Sequence, residues 1–212
     1  MKNNTTGESA SRENIKTRIP RQKRAIEKKE KIIHACMELV CEKGFRSTTT
    51  IDIAKRAGVS TGIVYSYFQD KKDILLSGLS DMTAKMQRPL LETIRTYNDN
   101  EDLLRNLDRL VDSFEKSHRE YLKPHQEFAS LSAIDPDFTK FTEQFEADTV
   151  QKCVEGLQAR GTRLPHLREK VHLAYHLIET YCHEVTIYPN PKIDYTALRQ
   201  EIMGCLERLF RE

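Results

Sequence analysis

Apolar residues recur every three or four positions along almost the whole chain, the spacing that lines one face of an α-helix. No strand pattern competes, so the fold class is all-α. Ile32, Ile33, Cys36, Met37, Leu39 and Val40 form the stripe of a first helix from about Glu27 to Lys43. Gly44 ends it and Phe45 folds back on the core. The fourth helix has Asp70 as its cap and runs through Ile74, Leu75, Leu79, Met82 and Met86 to Pro89. An interior proline removes a ladder hydrogen bond, so this helix is expected to bend or end near Arg88, with Pro89 to Tyr97 as a further piece. Leu103, Leu104, Leu107, Leu110, Val111 and Phe114 mark a helix from Glu101 to about Leu122, and Pro124 opens a short segment through Phe128 and Leu131. Asp135-Pro136 is a cap followed by proline at the first helical position. It opens a helix through Phe138, Phe141, Phe145, Val150 and Leu157 that Gly161 closes. Pro165 opens a long helix through Leu167, Val171, Ala174, Ile178, Tyr181, Cys182 and Val185, stopped by Pro189 and Pro191. Asp194 caps the last helix, which carries Leu198, Ile202, Cys205, Leu206 and Leu209.

Between the first and fourth helices lies TTTIDIAKRAGVSTGIVYSYF, Thr48 to Phe68, which packs two short helical patterns around one glycine. Thr49-x-x-Asp52 is a capping box that satisfies the free amides of a helix start. Ile53, Ala54 and Ala57 carry that helix to Gly58, a left-handed stop with Val59 as the apolar plug behind it. Ser60 caps the next helix, which presents Thr61 through Phe68. Helix, short glycine turn and helix together predict a helix-turn-helix, completed to a three-helix unit by the first helix.

Charge changes the picture more than composition does. The net charge of the 212 residues is only +2. It divides into roughly +7 over residues 1–77 and roughly −5 over the remainder, so one end is suited to a polyanion. Residues 1–24 read as a basic, flexible arm with Arg12, Lys16, Arg18, Arg21, Lys23 and Arg24. Such an arm is either a solvated tail or one that lies along phosphates or enters a minor groove. Residues 25–75 then form the DNA-binding domain and 76–212 the rest. No run of about eighteen apolar residues exists and the amino terminus lacks a secretory apolar core. No membrane partner and a cytoplasmic location are therefore expected. The five cysteines include no C-x-x-C pair and read as reduced thiols.

Three stretches, GFRSTT (Gly44 to Thr49), IAKRAGVS (Ile53 to Ser60) and Tyr65-Ser66-Tyr67-Phe68 followed by Lys71, together resemble the amino-terminal domain of TetR/AcrR-type transcriptional regulators. The resemblance covers about fifty residues, Lys28 to about Leu79; beyond it the chain is similar to the family only in length and helical character. It implies that Thr61, Gly62 and Ile63 face base edges while Val64 and Phe68 pack inward. It further implies phosphate contacts from Tyr65, Tyr67 and Lys71. Ser60 and Ser66 belong to the same face, and Thr48 and Thr49 are expected over the other strand's backbone. Ile63 can meet a thymine methyl but offers no hydrogen bond; the alternative is that it points into the core. Either tyrosine can be core instead, and capping alone accounts for Thr49. If Lys71 holds a phosphate, its loss weakens binding to all DNA and flattens the salt dependence.

For the remainder, the resemblance implies a homodimer on a two-fold double-stranded operator, with the last two helices of each subunit in a four-helix bundle. Leu167, Val171, Ala174, Ile178, Leu198, Ile202, Leu206 and Leu209 are the expected dimer face; the alternative is that they bury within one subunit. A small, largely apolar effector is implied for the middle helices, with Phe114, Phe128, Phe141, Phe145 and Tyr175 as walls. Core packing is the plainer use of these aromatics, Tyr97 among them. His176, Glu179 and His183 are the polar candidates for that pocket. His172 and His176 share a face, but spacing fixes no cysteine or acidic ligand, so neither a metal nor any other cofactor is expected. Cys182 and His183 point about 100° apart on a helix, which does not build a nucleophile–base pair. No catalytic residues and no enzyme are expected. The function expected is a ligand-released repressor; a ligand-independent regulator governed by a protein partner, or an activator, are the alternatives.

Overall fold

The computed structural model describes residues 21–96 and 103–211. Tyr97, Glu101 and the arm up to Pro20 lie outside the described residues. Among those described there are nine helices and no strand. They are α1 (Arg21–Ser47), α2 (Thr50–Ala57), α3 (Thr61–Tyr65), α4 (Lys71–Arg95), α5 (Leu103–Glu120), α6 (Leu122–Ser132), α7 (Pro136–Ala159), α8 (Leu167–Thr186) and α9 (Tyr195–Phe210). None is long and apolar enough to cross a membrane.

The local signals hold in detail. Gly44 leaves helical geometry at φ 80°, so the regular part of α1 stops there as expected, although α1 begins at Arg21, ahead of the expected start near Glu27. Thr49 and Asp52 form the reciprocal capping box of α2. Gly58 closes α2 at φ 68°, with the Val59 amide donating back to the Ala54 carbonyl. Asp70, Asp135 and Asp194 cap α4, α7 and α9 through their side chains.

Two boundaries differ. α3 is one short turn and a half, ending at Tyr65; Ser66 and Tyr67 follow in a turn, with the Ser66 hydroxyl donating to the Ile63 carbonyl at 2.7 Å. α4 runs unbroken from Lys71 to Arg95 with Pro89 inside it. Buried Gln87, Leu90 and Ile94 flank the proline and hold the helix on α5 and α7. That packing offsets the lost ladder bond, which is why the proline does not end the helix.

Three apolar clusters hold these helices. The first joins Ile32, Cys36 and Leu39 of α1 with Ile53, Val64, Phe68, Ile74 and Leu79, and continues into Phe128 and Leu131 of α6 and Phe138 of α7. It therefore lies on both sides of residue 75. The second gathers Leu107 and Val111 of α5, Ala174, Ile178 and Cys182 of α8, and Ile202 and Leu206 of α9. The third joins Leu90 and Ile94 to Val150, Cys153, Leu167 and Val171. Lys72 adds a charged tie, with Nζ 2.9 Å from Asp135 and 2.7 Å from Asp137. The hydrogen bonds that the Lys72 ammonium donates to Asp137 and Asp135 raise its pKa.

Candidate nucleic-acid interface and effector cavities

The helix-turn-helix exposes fewer of the expected contact residues than its sequence suggests. Ser60 accepts from the Ile63 amide at 3.3 Å, and Gly62, Tyr65 and Ser66 face outward, Tyr65 at 59% exposure. Thr61 is half-buried. Val64 and Phe68 pack inward as expected, at 1% and 4%. Ile63 and Tyr67 are partly buried against the same core, so the inward reading left open for each describes part of their surface.

Thr48 and Lys71 have partners within the chain that their motif does not reveal. Thr48 is 1% exposed, and its hydroxyl donates to the Gly44 carbonyl at 2.9 Å, stitching the break after α1; it has no surface to offer a duplex. The Lys71 ammonium turns back to the same junction. It donates to the carbonyls of Phe45 at 2.7 Å and Thr48 at 2.8 Å, with Arg46 at 3.4 Å, and lies 4.3 Å from the Phe45 ring centroid. An ammonium has three donors and no acceptor, so these carbonyls occupy what a phosphate would need. Thr49 is exposed, but its hydroxyl donates to Asp52 at 2.7 Å while accepting from the Asp52 amide. Its proton is committed to the cap. The Lys43 ammonium 2.8 Å away, with the Thr49 bonds, lowers the Asp52 carboxyl to about 2.

The expected dimer residues turn mostly inward in the single chain. Leu167, Val171 and Ala174 are each 6% exposed, Ile178 2%, Ile202 9% and Leu206 0%, while Leu198 and Leu209 are partly buried against the second cluster. They are the subunit's own core, the alternative left open above. What α8 turns outward is Leu173 at 49% exposure, half-buried Leu177, Thr180 and Glu184, with Tyr188 at 60% just past its end.

Among the described residues, two mainly apolar cavities lie between the helices of the body. The larger, about 350 Å³, has walls from Leu90 and Ile94 of α4, Leu107, Leu110 and Phe114 of α5, Leu157 of α7, Tyr175 of α8 and Phe210 of α9; Asn106, Arg160 and Thr93 bring polar atoms. The smaller, about 130 Å³, takes Phe114, Phe128, Phe145, Tyr175, Glu179 and His183 from the expected set. Phe114 and Tyr175 meet edge to face at 6.1 Å and border both. Phe141 and His176 line neither. Phe141 packs edge to face on Phe128 at 5.5 Å, and His176 is exposed, 2.8 Å from Glu146. His172 also reaches Glu146, at 3.3 Å, so α7 supplies the acidic neighbour that spacing within α8 could not reveal.

The smaller cavity also holds two residues that the sequence reading passed over, His118 and His125. His118 is 1% exposed and meets Glu179 at 2.7 Å. Burial opposes its charge, but the Glu179 carboxylate outweighs burial and the net shift is upward. Glu179 stays ionised below the usual carboxylate range despite its burial, through the bond and charge of His118. His125 lies 2.7 Å from His183, and burial lowers it to about 4. The sequence signal for this group was available as the i, i+4 pair Glu179 and His183. The thiols of Cys36 and Cys153 are pushed up to about 12 by burial, and Cys182 is raised likewise, so none is an activated nucleophile.

A family model described as bacterial regulatory proteins, tetR family, matches residues 32–77. An uncharacterised helix-turn-helix transcriptional regulator encoded in the lacX 3′ region of Lactococcus lactis subsp. lactis is 32% identical over 136 residues, 62% of this chain and 68% of that protein. The transcriptional regulator HbdR of Aromatoleum sp. strain CIB is 40% identical over 73 residues, 34% of this chain, so the likeness spans only 32% of that relative. Among solved structures, the regulator SCO7518 of Streptomyces coelicolor A3(2) superposes with a TM-score of 0.69 over 88% of this chain and 99% of that one, at 18% identity. That last likeness is one of fold.

Proposed function

The chain belongs to the TetR family of bacterial DNA-binding transcriptional regulators, and from that premise we propose that it is a homodimeric repressor released by a small, largely apolar molecule. Each subunit reads one half-site of a two-fold operator. Ser60, Thr61 and Gly62 start the recognition helix with little bulk, so its backbone can approach base edges. Tyr65 and Ser66 reach the sugar-phosphate rail from one side, and Ile63 and the outer edge of Tyr67 add apolar contact. Most of these contacts position the protein, and few read sequence.

The dimer forms through the outward face of α8, where Leu173, Leu177 and Thr180 follow one another at helical spacing, together with α9. The effector enters the larger cavity, whose volume and apolar lining suit such a ligand. One observation carries this reading. α4 is a single helix that begins at Lys71, bonded to the end of α1, and places Leu90 and Ile94 in the cavity wall. Displacing that wall tilts the lever on which the recognition helix sits, and the spacing of the two recognition helices leaves the half-site register.

Coupling of this kind is typically about 1–3 kcal/mol and reciprocal. Effectors are found by thermal shift over a panel of apolar metabolites. Saturating operator DNA is then expected to weaken effector binding by about 5- to 150-fold, the same factor by which effector weakens operator binding. Equal effector affinity with and without operator would remove the mechanism.

A further inference from the structure

Four side chains from three helices of the body aim their ligand-type atoms at one point. His118 comes from α5, His125 from α6, and Glu179 and His183 from successive turns of α8; the four ligand atoms all lie within 4.8 Å of one another. His125 Nε2 and His183 Nε2 are 2.7 Å apart, His118 Nε2 and Glu179 Oε2 are 2.7 Å apart, and His183 Nε2 is 3.6 Å from Glu179 Oε2. We propose that His118, His125, Glu179 and His183 form a four-coordinate binding site for a divalent first-row transition-metal ion, with Zn²⁺ as the reference ion.

The atoms behind the ligands support this assignment. His118 Nδ1 bonds the Phe114 carbonyl at 2.9 Å, which fixes the ring and turns Nε2 to the centre. Glu179 Oε1 accepts from the Tyr175 hydroxyl at 2.9 Å, which leaves Oε2 for the centre. Outer bonds of this kind orient ligands in metal sites. Three imidazoles and one carboxylate are a borderline donor set, suited to Zn²⁺ and its neighbours and not to Ca²⁺ or Mg²⁺. Bonds of about 2.0–2.1 Å in a tetrahedron place ligand atoms roughly 3.3 Å apart. The two pairs at 2.7 Å therefore open by roughly 0.6 Å, a rotation of side chains, and the ion takes the place of the proton now between His118 and Glu179. The smaller cavity borders the group.

The assignment does not depend on the operator or on an organic effector, and it is tested without either. Full-length protein stripped with chelator is titrated with Co²⁺, whose tetrahedral complexes absorb in the visible. One ion per chain is expected, giving tetrahedral bands that equimolar Zn²⁺ abolishes. His125→Ala and His183→Ala are expected to lose the bands. Tyr175→Phe, which removes an outer bond and no ligand, is expected to weaken binding by about 10- to 100-fold. His176→Ala, in the exposed Glu146, His172 and His176 group, is expected to change nothing. Octahedral spectra or no binding in the wild type would overturn the site, whatever the variants do. So would bands that survive His125→Ala or vanish in His176→Ala.

Discussion

The Lys71 ammonium satisfies carbonyls left open where α1 breaks at Gly44, a task invisible in the motif that contains it. Lys71→Ala is therefore expected to destabilise the protein by about 1–3 kcal/mol in chemical denaturation. The slope of log affinity for DNA against log salt should stay that of the wild type; a slope shallower by about one phosphate would return Lys71 to the DNA. Asp52 makes a second case. Its folded pKa lies near 2, below the usual 3.8, so its stabilising bonds to Lys43 and Thr49 are fully present above pH 3.8 and lost as pH falls through 2. Unfolding measured between pH 4 and 2 should lose this component in Asp52→Asn and keep the rest. The caps at Thr49, Gly58, Ser60, Asp70, Asp135 and Asp194 were legible because each is satisfied within a few residues of itself. Thr48 and Lys71 were not, because the fold of the junction, and not spacing, decides that one is buried and the other bonded 23 to 26 residues away.

At the scale of elements, stripes gave the helices but not what each stripe faces. A stripe states that a face is buried; it is silent on whether a partner subunit or the chain itself does the burying. Hence the apolar positions of α8 and α9 were legible, and whether a partner or the chain itself covers them was not. Pro89 failed for a related reason, since local chemistry priced the lost bond and tertiary contacts of Gln87, Leu90 and Ile94 outweighed it. The crossing of α1 and α4 is set by Gly78, where a Cβ would come within 2.7 Å of Met37 Sδ and 3.2 Å of Ile33 Cγ2. Gly78→Val is expected to push the two helices apart at a cost of about 1–3 kcal/mol, read in a thermal or denaturant melt. An unchanged melt would mean that Met37 alone absorbs the added volume.

At the scale of the molecule, the two faces of α8 make opposite predictions. Leu173→Glu puts charge on the outward face and should leave helicity intact while sedimentation falls from dimer to monomer and operator binding is lost. Ile178→Glu puts a charge at a position 2% exposed and should unfold the body, a cost above about 3 kcal/mol. A Leu173→Glu protein that sediments like the wild type would move the dimer to another surface. The residues proposed to read DNA were recognisable as a group because their motif is continuous in sequence. The cavities were not, since the larger alone draws on α4, α5, α7, α8 and α9.

The first apolar cluster has a practical consequence for anyone re-engineering this protein. Phe128, Leu131 and Phe138 are the floor on which α1 and α4 rest. A reading head cut out at residue 76 would carry an uncovered greasy underside and tend to clump. A chimera that transplants it onto a foreign sensor must bring α6 and the first turns of α7 along as its pedestal.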